Sequence, residues 1–232
     1  MAYAISSHIL WGTLIGLSPS LIWLVFWRHL VRKGHEHVRL IFVCFMLGAG
    51  AVLVATLFQK AFSYVVIVPT HRIVVWAAIE ELLKFLVFYI VAYKTEKNPD
   101  ALDAPMYLIA VALGFAALEN IFYILKPGWS FNVTASLLTG GLRFFGSTLL
   151  HAIASSFVGI VITLTPKIVR GLGMVLGIIG AIFLHSTFNF FILKNDTASF
   201  LQIYGYLWIV AIISHIILEK FRRFPSEAVQ TV

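Results

Sequence analysis

Charge is what this sequence has least of. Only 12% of its 232 residues are Asp, Glu, Lys or Arg, whereas 60% are hydrophobic. A soluble domain needs a polar skin that this composition cannot supply, so water is excluded as the principal solvent. Cysteine is nearly absent too: Cys44 stands alone inside an apolar run over 40–58, which excludes a disulfide within the chain and leaves packing as its role. No G-x-S-x-G, no H-E-x-x-H and no internal repeat of useful length occurs. A serine-hydrolase elbow and a zincin helix are thereby excluded. The net charge of +7 does not run along one face. Its basic groups gather at the ends of apolar runs, a pattern set by topology and anionic lipid headgroups, with no nucleic acid as partner.

What is present is a succession of apolar runs, each near the roughly 20 residues that a bilayer requires. The spacing predicts helices over 9–27, 40–58, 73–93, 104–125, 144–165, 172–193 and 200–218. The expectation is an all-α, polytopic membrane helix bundle of about seven transmembrane helices, forming a single integral membrane domain over 1–232 in contact with the lipid bilayer. The first run is kept as a helix, because Met1 to Ser7 carry no Lys or Arg and Arg28, Arg32 and Lys33 follow the run, the reverse of a cleaved signal. The longest connection, 127–142, mixes polar and apolar residues and either lies along the interface or dips inward. Gly173 and Gly177 form a small-xxx-small pair suited to close helix packing.

Basic residues also give an orientation. Arg28, Arg32, Lys33, Arg39, Lys94, Lys97, Lys167, Arg170, Lys220, Arg222 and Arg223 fall on one side; Lys60, Arg72, Lys126, Arg143 and Lys194 fall on the other. The positive-inside rule then places the N-terminus outside and the C-terminus in the cytoplasm. Two N-x-T sequences, at Asn132 and Asn195, lie in the outer connections on this scheme.

Several residues do not belong in lipid: Glu80, Glu81 and Lys84 in the third run, Glu119 and Asn120 in the fourth, His151 in the fifth, His185 and Asn189 in the sixth. An ionisable group inside a membrane faces the bundle interior and marks a functional site by default. The bland alternative is a buried ion pair, since spacings of four and three set either Glu80 or Glu81 beside Lys84. Depth argues for more. From Arg72 to Glu80, Lys126 to Glu119, Arg143 to His151 and Lys194 to His185 is seven to nine residues in every case. At 1.5 Å per residue these groups all lie roughly 10–14 Å below the outer surface. Four helices running in alternate directions therefore bring their unusual residues to one level, as a shared site would require. Carboxylates and histidines around a wet pocket suit activation of water against a carbonyl, with a histidine donating to the oxyanion or binding a metal. Ser155, one turn after His151, reads as a backbone-bonded hydroxyl rather than a nucleophile.

Glu80-Glu81-x-x-Lys84, Phe115-x-x-x-Glu119, His151 and His185, in that order on successive membrane helices, resemble the PrsW family of intramembrane proteases, relatives of the CAAX-processing and bacteriocin-processing proteases. The likeness covers about 39–191, with a site-bearing core over about 71–194. It implies a protease that cuts single-span membrane proteins near the extracytoplasmic side, an anti-sigma-factor type of substrate, and a bacterial or archaeal cell membrane. It further implies that Glu80, Glu81, Glu119, His151 and His185 form the catalytic site. Asn189 stands where many relatives have aspartate. Two chemistries remain open. The histidines with Glu119 could hold zinc with one open position, or Glu80 or Glu81 could activate water with no cofactor required. That neither histidine has a sequence-local partner ligand favours the metal-free form. The rival reading is a proton- or ion-coupled transporter built on the same buried Glu and His residues, against which stands the lack of an inverted repeat. A noncatalytic protein that binds single-span helices is a third.

Overall fold

The computed structural model describes residues 2–31, 38–95, 103–125, 133–194 and 197–223, and no strand occurs among them. Eight helices follow in order: α1 (Ala2–Val31), α2 (Val38–Phe62), α3 (Pro69–Phe88), α4 (Asp103–Ile124), α5 (Val133–Phe145), α6 (Ser147–Leu164), α7 (Arg170–Leu193) and α8 (Thr197–Arg223). Among the described residues six spans are long and apolar enough to cross a membrane, α5 and α6 counting together as one over Leu137–Leu164. The seventh, α3, is 20 residues long and carries Glu80, Glu81 and Lys84 in its inner turns. The expected bundle of about seven helices is what forms. Arg32, Lys33, Lys97, Lys126, Asn132 and Asn195 lie outside the described residues, as does the first part of the 127–142 connection. The rest of that connection is helical: it forms α5, which runs into α6 through Gly146.

The helix at the centre is α4, with α1, α2, α3, α5 and α6 packed around it. Pro105 through Ala117 are buried without a break, as expected of a helix that is apolar on every side. Close approach explains how five neighbours fit. A Cβ on Gly48 would strike the carbonyl oxygen of Val111, and one on Gly114 would strike that of Phe45, so α2 and α4 touch backbone to backbone. In lipid, where helix association draws on packing rather than the hydrophobic effect, such contact holds the pair together. Gly177 of α7 likewise lies close to α6, where an added Cβ would come within 3.1 Å of Val158 Cα, and a Cβ on Gly173 would strike Thr165 just beyond it.

Prolines fall where a helix tolerates them. Pro69 opens α3 after an extended Val68, a position at which the missing N–H has no partner to lose. Pro19 lies inside α1 and leaves the carbonyl of Ile15 without its usual donor; the Ser18 hydroxyl donates to that oxygen at 3.2 Å. A turn of π-helix, Tyr89–Tyr93, extends α3 toward the end predicted from the apolar run. Around the Gly146 bend, backbone carbonyls are taken by side chains from distant helices. Trp23 of α1 donates its indole N–H to Phe144 O at 2.9 Å, and the Tyr204 hydroxyl of α8 donates to Leu142 O at 2.9 Å. The bend is thus braced from both sides.

Candidate active site

Glu80, Glu81 and Lys84 occupy one face of α3, and all three are buried, Lys84 completely. Of the two carboxylates the i,i+3 partner wins: Lys84 Nζ donates to Glu81 Oε1 at 2.6 Å. The ammonium also reaches α6, where His151 Nδ1 lies 2.9 Å away. It sits 5.2 Å from the centre of the Phe115 ring, a cation–π contact that gives the aromatic of the Phe115-x-x-x-Glu119 motif a physical role.

The histidines' proton positions follow from their partners. An ammonium has only hydrogens to offer, so His151 Nδ1 accepts from Lys84. The neutral ring then carries its hydrogen on Nε2 and donates it to Glu119 Oε2 at 3.0 Å. His185 is arranged the other way round. Its Nδ1 lies 2.7 Å from Glu81 Oε1, an acceptor, so Nδ1 donates and Nε2 turns a lone pair toward the site. That lone pair is 3.7 Å from Glu80 Oε2, a buried carboxylate oxygen with no hydrogen-bond partner among the described residues. The other oxygen of Glu80 accepts from Gln59 Nε2 at 2.8 Å.

All five residues singled out from the sequence therefore meet. A continuous set of contacts leads from Glu80 through His185, Glu81, Lys84 and His151 to Glu119, joining α3, α7, α6 and α4. The two imidazole rings meet edge to face, centroids 5.0 Å apart. Asn189, one turn beyond His185, is part-buried and contributes no described hydrogen bond to the cluster. Ser155 is buried a turn below His151 and also stands outside it.

Three partners escaped the sequence reading. Gln59, near the end of α2, reads as an ordinary interfacial residue until its amide is seen holding Glu80. Arg143 counts in the sequence only as an outer-side charge, yet its Nη2 lies 2.9 Å from Glu119 Oε2 and its Nε donates to Asn120 Oδ1. Thr148 accepts from Asn120 Nδ2 at 3.0 Å. The polarity of Asn120 within an apolar run was the available signal for that pair.

A metal centre fits these residues in kind and spacing. Glu80, His151 and His185 each offer a ligand atom, all within 4.8 Å of one another, and His2Glu is an established donor set for zinc. The set differs from the His–His–Glu119 combination suggested by the sequence, because Glu119 is held by Arg143 and His151. Glu80 Oε2 and His185 Nε2 are uncommitted. His151 has both nitrogens engaged and would have to release Lys84 or Glu119 to become a ligand.

The family described as PrsW family intramembrane metalloprotease matches residues 36–216 of this chain. Among curated proteins, a Protease PrsW of Oceanobacillus iheyensis is 34% identical over 119 residues, 49% of this chain and 54% of that protein. A Protease PrsW of Geobacillus kaustophilus is 37% identical over 62 residues, 27% of this chain and 28% of that protein. The chain thus spans about half the length of the first of these relatives and less of the second. No solved structure matches it.

Proposed function

This chain belongs to the PrsW family of intramembrane metalloproteases, and from that premise we propose that it is an endopeptidase hydrolysing a peptide bond of single-span membrane proteins. The observation that carries the reading is the pairing of Glu80 Oε2 with His185 Nε2, two acceptors facing each other at 3.7 Å inside a cluster whose other members are engaged. Two buried lone pairs at that distance repel unless a proton donor or a cation serves both. A water giving one hydrogen to each meets the requirement and is held ready to lose a proton.

In the proposed reaction the oxygen of that water attacks the carbonyl carbon of the substrate while its proton passes to Glu80. The negative charge that develops on the carbonyl oxygen is met by the Nε2 hydrogen of His151, which is then shared between the oxyanion and Glu119, the group that orients the ring. Glu80 then delivers the proton to the amide nitrogen as the C–N bond breaks, leaving a carboxylic acid and an amine, with Glu80 ionised again. Glu81 fixes the tautomer and orientation of His185, and Gln59 keeps the other oxygen of Glu80 turned away. A divalent ion, when bound, would be held by Glu80, His151 and His185 and would supply a more acidic water and a polarised carbonyl. The chemistry here assigned to Glu80 requires none, because its carboxylate takes the proton of the water directly. Purified protein cleaving a single-span substrate should keep its rate when a strong chelator is added. Loss of activity that returns with zinc would transfer water activation to a metal.

The orientation of the chain sets which side of the membrane is cut. With the N-terminus outside, the cluster lies in the outer leaflet and the substrate is opened near its extracytoplasmic end, as an anti-sigma-factor-type substrate requires. Tyr64, between α2 and α3, and Ile168, between α6 and α7, are strongly exposed at opposite ends of the bundle. An impermeant maleimide on intact cells should label Tyr64→Cys and spare Ile168→Cys; the buried Cys44 provides little background. The converse pattern inverts the orientation. A purified chain that leaves every single-span substrate whole but moves protons across liposomes in a Glu80-dependent manner would replace the peptidase by the transporter.

A further inference from the structure

We propose that Arg143 is a positioning residue of this site, holding Glu119 so that the His151 ring and its Nε2 hydrogen keep one orientation. The kinetic part of this inference rests on the peptidase reading. Among the cluster's carboxylates Glu119 is the most open, its side chain 34% exposed, whereas those of Glu80 and Glu81 are 11% and 2% exposed. A half-wet glutamate samples several rotamers unless something holds it. Arg143 supplies the hold. Nη2 meets Glu119 Oε2 at 2.9 Å and Ser147 Oγ at 3.2 Å, Nε donates to Asn120 Oδ1, and the guanidinium carbon stands 4.6 Å from the centre of the Tyr123 ring.

That geometry belongs to a planar fork rather than to a point charge. One guanidinium grips consecutive residues of α4, and Asn120 is held a second time from α6 by Thr148. The oxygen that Arg143 holds is the one that accepts from His151 Nε2, so the arginine acts through Glu119 on the histidine. Its own place is fixed by the Gly146 bend, where Trp23 and Tyr204 secure the carbonyls on either side of residue 143. Without the fork, Glu119 can swing toward water and release the His151 hydrogen, and the ring is then held only by Lys84.

Two measurements on the full-length protein test this. With a substrate that the wild type cleaves, Arg143→Gln should lower kcat by about 10- to 100-fold, the range for a charge-assisted hydrogen bond, and leave KM unchanged. Arg143→Lys should fall between, and added guanidinium ion should restore part of the rate to Arg143→Ala. Independently, 15N-histidine spectra, with the His151 signals identified by their loss in His151→Asn, should report a hydrogen on Nε2 that is slow to exchange with water in the wild type and exchanges faster, with a shifted Nε2 signal, in Arg143→Gln. Wild-type kcat in Arg143→Gln overturns the inference. So does a parallel loss of kcat and thermal stability in which Arg143→Lys is no better than Arg143→Gln and the His151 signals do not move, because that describes a structural brace. If the wild type cleaves nothing, the peptidase reading fails and the His151 spectra alone decide the positioning role.

Discussion

Glu80→Gln should lower cleavage by about 10²–10⁴-fold, the usual range for removing a general base, while the protein folds and inserts as before. The substitution is close to neutral for structure because it keeps every contact Glu80 makes. The amide oxygen can still accept from Gln59 Nε2, and the new amide N–H can donate across the 3.7 Å gap to His185 Nε2. What disappears is the capacity to take a proton. Glu81→Gln should also impair activity, but by a different route: Glu81 Oε1 already serves Lys84 and His185, and the change loosens both. A single-turnover assay of clipped product, read beside a thermal melt in detergent, separates the two. Near-wild-type turnover by Glu80→Gln would remove Glu80 as the base and leave Glu81 or Glu119 to be tried.

Lys84→Met should cost folding as well as activity. The ammonium is fully buried and balances Glu81, whose side chain is 2% exposed. Removing one partner of a buried pair leaves a charge with neither water nor counterion, which costs about 3–5 kcal/mol. The lower end applies here, because His185 still donates to Glu81. A markedly lower melting temperature is therefore expected, together with loss of cleavage. The double variant Glu81→Gln/Lys84→Met has no stranded charge and should regain much of the lost stability, yet remain inactive because His185 and His151 have each lost a partner. If Lys84→Met melts with the wild type, the ion pair is not a structural element of this site.

Much of the arrangement could be read from residues alone, and the exceptions have physical causes. Apolar runs of membrane length fix the number of spans, and the similar spacing of Glu80, Glu119, His151 and His185 from the outer ends of their helices puts them near one level. Pairing within that level was not legible. Helical spacing allows Lys84 to meet either Glu80 or Glu81, and the choice falls to His185, which arrives from α7 to share Glu81. Arg143 was counted as a topological charge because an arginine near the membrane surface has the same sequence context whether it faces headgroups or a neighbouring helix. Its inward direction depends on the bend at Gly146, and nothing in a single glycine announces a bend. Gln59 was hidden for the same reason. Its partner is 21 positions away on another helix, and near a span end an amide needs no explanation.

The polarity of α3 bears on how the protein is made. A charged residue at the centre of a membrane helix adds roughly 2.5–3.5 kcal/mol to the free energy of insertion on scales measured at the translocon, and α3 presents three such groups. It emerges from the ribosome after α2, before α4, and about 100 residues ahead of His185, which completes the environment of Glu81. Left to itself, α3 has little reason to leave the aqueous channel. Its passage into lipid is therefore tied to helices synthesised later, so that membrane integration and assembly of the charged cluster become a single event, and a nascent chain that has not yet released α7 holds no complete set of reactive groups.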